Sequence, residues 1–128
     1  MFLCVMSSKY KEPASSYHFP ALSFFLKPNT FTDARFAFCE KLQKIGVKTI
    51  ICTDISKDGL LSGTNLELYR QLSEKCKVDI VASGGVTTLD DVKKLAEMKL
   101  YGAILGKALY TGNIDLAAAV TLTKEGNE

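Results

Sequence analysis

From Phe38 onward, apolar and polar positions switch between two periods, and the switching orders the chain as helix, strand, helix, strand, helix, strand, helix. Phe38, Leu42 and Ile45 lie at i, i+4 and i+7 and predict one apolar helix face, with Gly46 placed to end the helix. Val47 to Cys52 (VKTIIC) is almost entirely apolar or β-branched, which predicts a strand covered on both faces. Asp54 to Gly63 (DISKDGLLSG) turns polar and holds the turn dipeptides Asp58-Gly59 and Ser62-Gly63, so it reads as a loop. Asn65 can then cap a helix whose Leu66, Tyr69, Leu72 and Cys76 share a face. Val78 to Ala82 predicts a second strand, closed by Ser83-Gly84-Gly85. Thr88 and Asp91 have the spacing of a capping box for a helix carrying Leu89, Val92, Leu95 and Met98. A third strand, Ala103 to Leu105, ends in Gly106-Lys107-Ala108, and a short helix around Ile114 to Val120 follows. Parallel strands require such helical crossovers, so the pattern defines an α/β fold with a parallel sheet.

Residues 1–37 do not share this organisation, because Ser, Pro, Lys and aromatics follow one another there with no sustained period. The only prolines, Pro13, Pro20 and Pro28, fall in this stretch and oppose a regular helix through it, although Ala21 to Leu26 could form a short strand or helical turn. The expected division is therefore an irregular segment over 1–37, an α/β unit over 38–120 and a polar tail over 121–128. With 128 residues, 47% hydrophobic and 23% charged, the chain suits one modest globular domain. Its net charge of +2 is dispersed, without the basic block that marks a nucleic-acid or membrane surface. No run nears the ~20 apolar residues of a membrane span, and the apolar opening Met1 to Met6 has no basic leader. Cys4, Cys39, Cys52 and Cys76 lack the paired spacing of metal or redox sites, and Cys39 and Cys52 read as small buried hydrophobes. No metal or cofactor is expected, and the cytoplasm is the natural compartment.

Ligands of parallel α/β proteins gather at the carboxyl ends of the strands, which makes three places informative. Ser83-Gly84-Gly85 lets backbone amides approach an anion with no side chain in the way, though the same residues also make a plain tight turn. Gly106-Lys107-Ala108, at the next strand end, is a second glycine loop, with Lys107 either facing the anion or facing solvent. Two such loops on neighbouring strands point to a phosphate. Asp54 and Asp58, beside Thr53, are the clustered carboxylates near a strand end, and Asp58 before Gly59 fits either a turn or acid-base work. His18, the single histidine, lies far from these in the irregular stretch.

Taken together, Thr53-Asp54-Ile55-Ser56-Lys57-Asp58-Gly59 with Leu61-Ser62-Gly63, Val81-Ala82-Ser83-Gly84-Gly85-Val86 and Ile104-Leu105-Gly106-Lys107-Ala108-Leu109-Tyr110 resemble the C-terminal part of the ProFAR isomerases of histidine biosynthesis, the HisA family. The resemblance covers about Phe38 to Val120 and implies strands six to eight of a (β/α)8 TIM barrel of the ribulose-phosphate-binding type. It also implies an Amadori rearrangement of the aminoaldose ProFAR to the aminoketose PRFAR, without metal or organic cofactor. By position, Thr53 and Asp58 would be auxiliary active-site residues, and Ser83, Gly84, Gly85, Gly106 and Lys107 would surround one substrate phosphate. The family's general base and general acid are aspartates on its first and fifth strands, both before the matched region. Asp33-Ala34-Arg35 resembles the surroundings of that acid, but Asn29 to Thr32 makes a poor buried strand. The cyclase subunit of imidazole-glycerol-phosphate synthase carries similar turns, whereas the T-D-I-x-x-D-G-x-x-S-G run and the G-K-A-L-Y ending resemble the isomerase. The expectation is an incomplete, inactive isomerase part that binds a sugar phosphate. The alternatives are a non-catalytic phosphate-binding half-barrel or a piece of the cyclase. Three parallel strands alone would leave two open edges through which the chain could associate with itself.

Overall fold

The two helices that link the parallel strands begin where a side chain satisfies their first free amides. In the computed structural model, which describes residues 2–6, 22–25 and 32–125 and the side chains of 35–124, the Asn65 side chain accepts from the Leu68 amide at 3.1 Å. It thereby starts helix α2 at Leu66–Lys75. Thr88 and Asp91 form the expected reciprocal capping box, each accepting from the other's backbone amide, and open α3 at Leu89–Glu97. Such caps stabilise a helix by about 1 kcal/mol. Gly46, at φ +92, ends the preceding helix α1, Thr32–Lys44, and the Val47 amide returns to the Leu42 carbonyl.

Helix α1 starts six residues before the first predicted apolar position, and its buried stripe is Phe36, Cys39 and Leu42 rather than Phe38, Leu42 and Ile45. Because the backbone reverses at Gly46, Ile45 lies beyond the last helical turn and is 74% exposed. Asp33-Ala34-Arg35 falls in the first turn of this helix instead of at a strand end, which removes the resemblance to a strand-borne acid.

The strands are β1 (Phe2–Met6), β2 (Leu22–Phe25), β3 (Thr49–Thr53), β4 (Asp79–Ser83) and β5 (Gly102–Ala103), followed by α4 (Lys107–Tyr110) and α5 (Leu116–Glu125). They form one sheet in the order β2-β1-β3-β4-β5. β3, β4 and β5 run parallel, with Thr53 opposite Ser83 and Ala82 opposite Ala103. β1 lies antiparallel to both β2 and β3. The β3 edge, expected to be open, is therefore paired; the hydrogen bonds come from a segment whose side-chain pattern showed no period. Pro13, His18, Pro20 and Pro28 lie outside the described residues.

Coverage is asymmetric. Ile50 and Cys52 of β3 and Ile80 and Ala82 of β4 are buried under the helices, while Ile51, Thr53, Val81 and Ser83 on the opposite face are half-buried. The expectation of strands covered on both faces therefore holds fully only for the helix side. The helix-side core adds Leu68, Tyr69, Leu72, Val92, Leu95 and Ala119. Cys39, Cys52 and Cys76 are free, buried thiols, and burial pushes that of Cys52 up to about 12. Among the described residues no helix is long and apolar enough to cross a membrane.

Candidate functional site

The loop after β3 is built on a buried carboxylate. Asp54, 8% exposed, accepts from the Ser56 amide at 3.0 Å, the Ser56 hydroxyl at 2.6 Å and the Asn65 amide group at 2.6 Å. Burial alone would raise its pKa, but these bonds from Ser56 and Asn65 outweigh it and hold the carboxyl below its ordinary value. The Asp54 backbone amide donates to the Ser83 carbonyl at 3.1 Å, and its carbonyl accepts from the Lys57 and Asp58 amides at 3.0 Å each. Asp54 thus fixes the base of the loop and its distance from β4, and its acceptor capacity is used for that purpose.

Tyr69 makes the second tie. Its hydroxyl lies 2.6 Å from the Ser83 carbonyl and 2.9 Å from the Cys52 carbonyl, and it accepts from the Ser83 amide at 3.1 Å. Burial raises the phenol above its usual range, so it acts as a neutral bridge between the ends of β3 and β4.

Against this frame the Ser83-Gly84-Gly85 turn packs backbone to backbone. Gly84 has φ +92 and Gly85 φ +77; a Cβ on the first would stand 2.7 Å from the Asp54 carbonyl oxygen, and on the second 2.5 Å from that of Gly63. The Thr64 hydroxyl donates to the Gly84 carbonyl at 3.0 Å, and that of Thr87 to the Gly85 carbonyl at 2.7 Å. Thr87 in turn accepts from the Gly63 amide at 3.3 Å.

The three strand ends enclose a cavity of about 60 Å³, room for roughly four waters or one tetrahedral anion. Asp58, Gly59 and Leu61 line it from the first loop, Ser83 to Val86 from the second, and Ile104, Gly106, Lys107 and Ala108 from the third. Among the described residues the Gly84, Gly85 and Gly106 amides donate to no protein acceptor. The Lys107 ammonium, also at the rim, donates to the Gly59 carbonyl at 2.9 Å. Asp58, Ser83, Gly84, Gly85, Gly106 and Lys107 therefore share one cavity, whereas Thr53, one strand position before Asp54, does not line it. Sequence reasoning missed Gly59, Leu61, Val86 and Ile104 as lining residues, whereas Ala108 belongs to the predicted Gly106-Lys107-Ala108 loop. Leu61 has φ +52, a conformation rare for a branched residue, and its only sequence signal was its place between two glycine turns. Among the described residues no cluster of three or more His, Cys, Asp or Glu side chains could hold a metal.

These features define an α/β protein whose parallel strands present glycine loops to one small polar cavity. Residues 30–115 match the family described as histidine biosynthesis protein, and the chain belongs to that family. Within it, the chain is 56% identical over 88 residues to 1-(5-phosphoribosyl)-5-((5-phosphoribosylamino)methylideneamino)imidazole-4-carboxamide isomerase, ProFAR isomerase, of Brachyspira hyodysenteriae, covering 69% of this chain and 37% of that protein. It is 52% identical to the isomerase of the same name from Clostridioides difficile, over 66% of this chain and 35% of the relative. For that of Thermoanaerobacter pseudethanolicus the identity is 42%, over 81% and 43%. The chain thus spans well under half the length of these relatives. A solved structure, the Amycolatopsis orientalis BexX/CysO complex, matches in fold with a TM-score of 0.57 at 18% identity, over 71% of this chain and 38% of that one.

Proposed function

We propose that the chain supplies the C-terminal strand-helix units of a ProFAR isomerase TIM barrel and holds one of the two substrate phosphates. The observation that carries this is the meeting of three glycine amides, without acceptors among the described residues, and one ammonium at a single cavity, in a chain 56% identical over 88 residues to a ProFAR isomerase. Backbone amides and a lysine favour an anion through charge-assisted hydrogen bonds and need no metal. In this reading Asp58 is the carboxylate nearest the substrate, and Thr53 supports it from the strand end. The exposed Tyr101, Ile104 and Tyr110 beside β5, at 70%, 44% and 91%, are where further barrel strands would pack. Sugar phosphates of this pathway belong to the cytoplasm, and neither nucleic acid nor membrane has a place in the reading.

The rearrangement needs a proton delivered to the ring oxygen, which opens the sugar ring, and another removed from carbon 2, next to the anomeric carbon, hence two groups on opposite sides of the substrate. Among the described residues Asp58 is the one acid lining the cavity. We accordingly expect the purified chain to show no measurable ProFAR turnover; robust turnover by the monomer would overturn this assignment. Titration with inorganic phosphate should shift the amide signals of Gly84, Gly85 and Gly106, and unmoved signals at saturation would sink the anion site. The second reading, a phosphate-binding half-barrel without catalysis, is favoured by the presence of a single acid, Asp58, among the described residues that line the cavity. It would be preferred if phosphate binds but adding the N-terminal part of a relative restores no turnover.

A further inference from the structure

The loop after β3 is fastened firmly at both ends and lightly at its tip. At its base stand the three bonds to the Asp54 carboxylate; at its far end Gly63 and Thr64 are tied to Thr87 and Gly84. Between them, Asp58, Gly59 and Leu60 are exposed. Among the described residues, the one hydrogen bond reaching Asp58, Gly59 or Leu60 from outside the loop is that of the Lys107 ammonium to the Gly59 carbonyl, spanning 48 residues of sequence at 2.9 Å.

We infer that Lys107 is a positioning residue: it holds the Asp58-Gly59 turn at the cavity rim, and an anion in the cavity tightens that hold. An ammonium has three protons to donate. One is directed at Gly59, and two remain for an oxyanion in the cavity that Lys107 and Asp58 both line. An anion placed there restrains the lysine, and through it the turn that carries Asp58. Phosphate binding and the placement of the carboxylate are thereby coupled, so Lys107 acts on the chemistry through Asp58 rather than by touching a reacting atom. The coupling rests on the anion-site reading proposed above; the tie to Gly59 does not.

The test compares the native chain with Lys107→Met and Lys107→Arg by amide hydrogen exchange, without and with inorganic phosphate. In the absence of phosphate, Lys107→Met should accelerate exchange of the Asp58 and Leu60 amides, which are bonded within the turn, by roughly threefold to tenfold. Lys107→Arg should restore most of the protection, and the Leu68 and Val92 amides should report no change in either variant. Phosphate should slow exchange at Asp58 and Leu60 in the native chain but not in Lys107→Met, even at concentrations that still shift Gly84 and Gly85. Equal exchange in all three chains without phosphate would overturn the tie. If phosphate shifts Gly84 and Gly85 but slows Asp58 and Leu60 equally in Lys107→Met, the coupling fails while the anion site stands. If phosphate shifts nothing in the native chain, the anion site and the coupling fail together, and the exchange difference without phosphate still decides the tie.

Discussion

Gly84-Gly85 and Gly106 stand at neighbouring strand ends and face the same cavity, yet glycine answers a different need in each. At Gly84 and Gly85 the backbone has left-handed φ values, and a Cβ would meet main-chain oxygens at 2.7 and 2.5 Å that cannot move without pulling the loop after β3 apart. Folding itself demands glycine there. At Gly106 a Cβ would meet nothing within 4 Å. No neighbouring atom requires glycine at that position, which is compatible with the proposed close approach of an anion. A turn that looks like a ligand loop can therefore be a structural joint as well, and the neighbouring one can be free of that duty.

The sharpest way to break this comparison is Gly85→Ala. The left-handed backbone costs an L-residue about 1–2 kcal/mol, and a forced contact in a packed site adds about 1–3 kcal/mol. A loss of roughly 2–5 kcal/mol is expected, with Gly84→Ala at the lower end, read from the urea unfolding midpoint. A shift equivalent to under about 0.5 kcal/mol at Gly85 would mean that the two loops are not so tightly packed.

Next in size is Tyr69→Phe, which keeps the ring in its buried place and removes the bridge between the Cys52 and Ser83 carbonyls. The Ser83 amide then loses its partner as well. Leaving such buried groups unsatisfied costs about 1–3 kcal/mol. The same variant should loosen the Gly84-Gly85 turn while sparing Gly106, visible as faster exchange confined to the ends of β3 and β4; uniform acceleration would contradict a local bridge.

Asp54 allows a pH test of the same joint. Its carboxyl lies below its ordinary value in the folded chain, so the folded state binds this proton more weakly than the unfolded one. The stabilisation is complete above the ordinary carboxylate range and is lost as pH falls through the depressed folded value. Unfolding midpoints measured from about pH 6 down to about pH 3 should fall. Asp54→Asn should lower the midpoint at neutral pH by about 1 kcal/mol, through weaker hydrogen bonds, and flatten the acid limb. An unchanged acid limb would show that another carboxylate governs it.

How far the sequence announced this arrangement differs between its parts. The Asn65 and Thr88–Asp91 caps were legible because each depends on residues three apart, and the three parallel strands because apolar runs alternate with amphipathic ones. The α1 stripe was misread because Gly46 ends the helix before Ile45 can join the face. β1 gave little sign of itself, since its pairing is made by backbone groups that every residue carries, whereas β2, Leu22–Phe25, falls within the Ala21 to Leu26 stretch that offered a short strand or a helical turn. At the site, glycine and lysine at strand ends were visible in advance. The role of Asp54 was not, because nothing local distinguishes a carboxylate bonded to Asn65, eleven residues on, from one free to act. Nor could spacing reveal that Lys107 reaches Gly59, a contact created by the packing of two loops.

The smallest stability effect is expected at Gly106, and there the comparison becomes most informative. Because nothing lies within 4 Å of the position a Cβ would take, Gly106→Ala should change stability by less than about 1 kcal/mol. The added methyl nevertheless stands at the cavity rim beside an amide that has no acceptor among the described residues, where it would obstruct an oxygen approaching that amide. Phosphate affinity should fall by roughly tenfold, the cost of one charge-assisted hydrogen bond, while the unfolding midpoint holds. If instead stability drops as steeply as at Gly85, Gly106 is a second structural joint. Its amide would then be held by the fold rather than kept open for an anion.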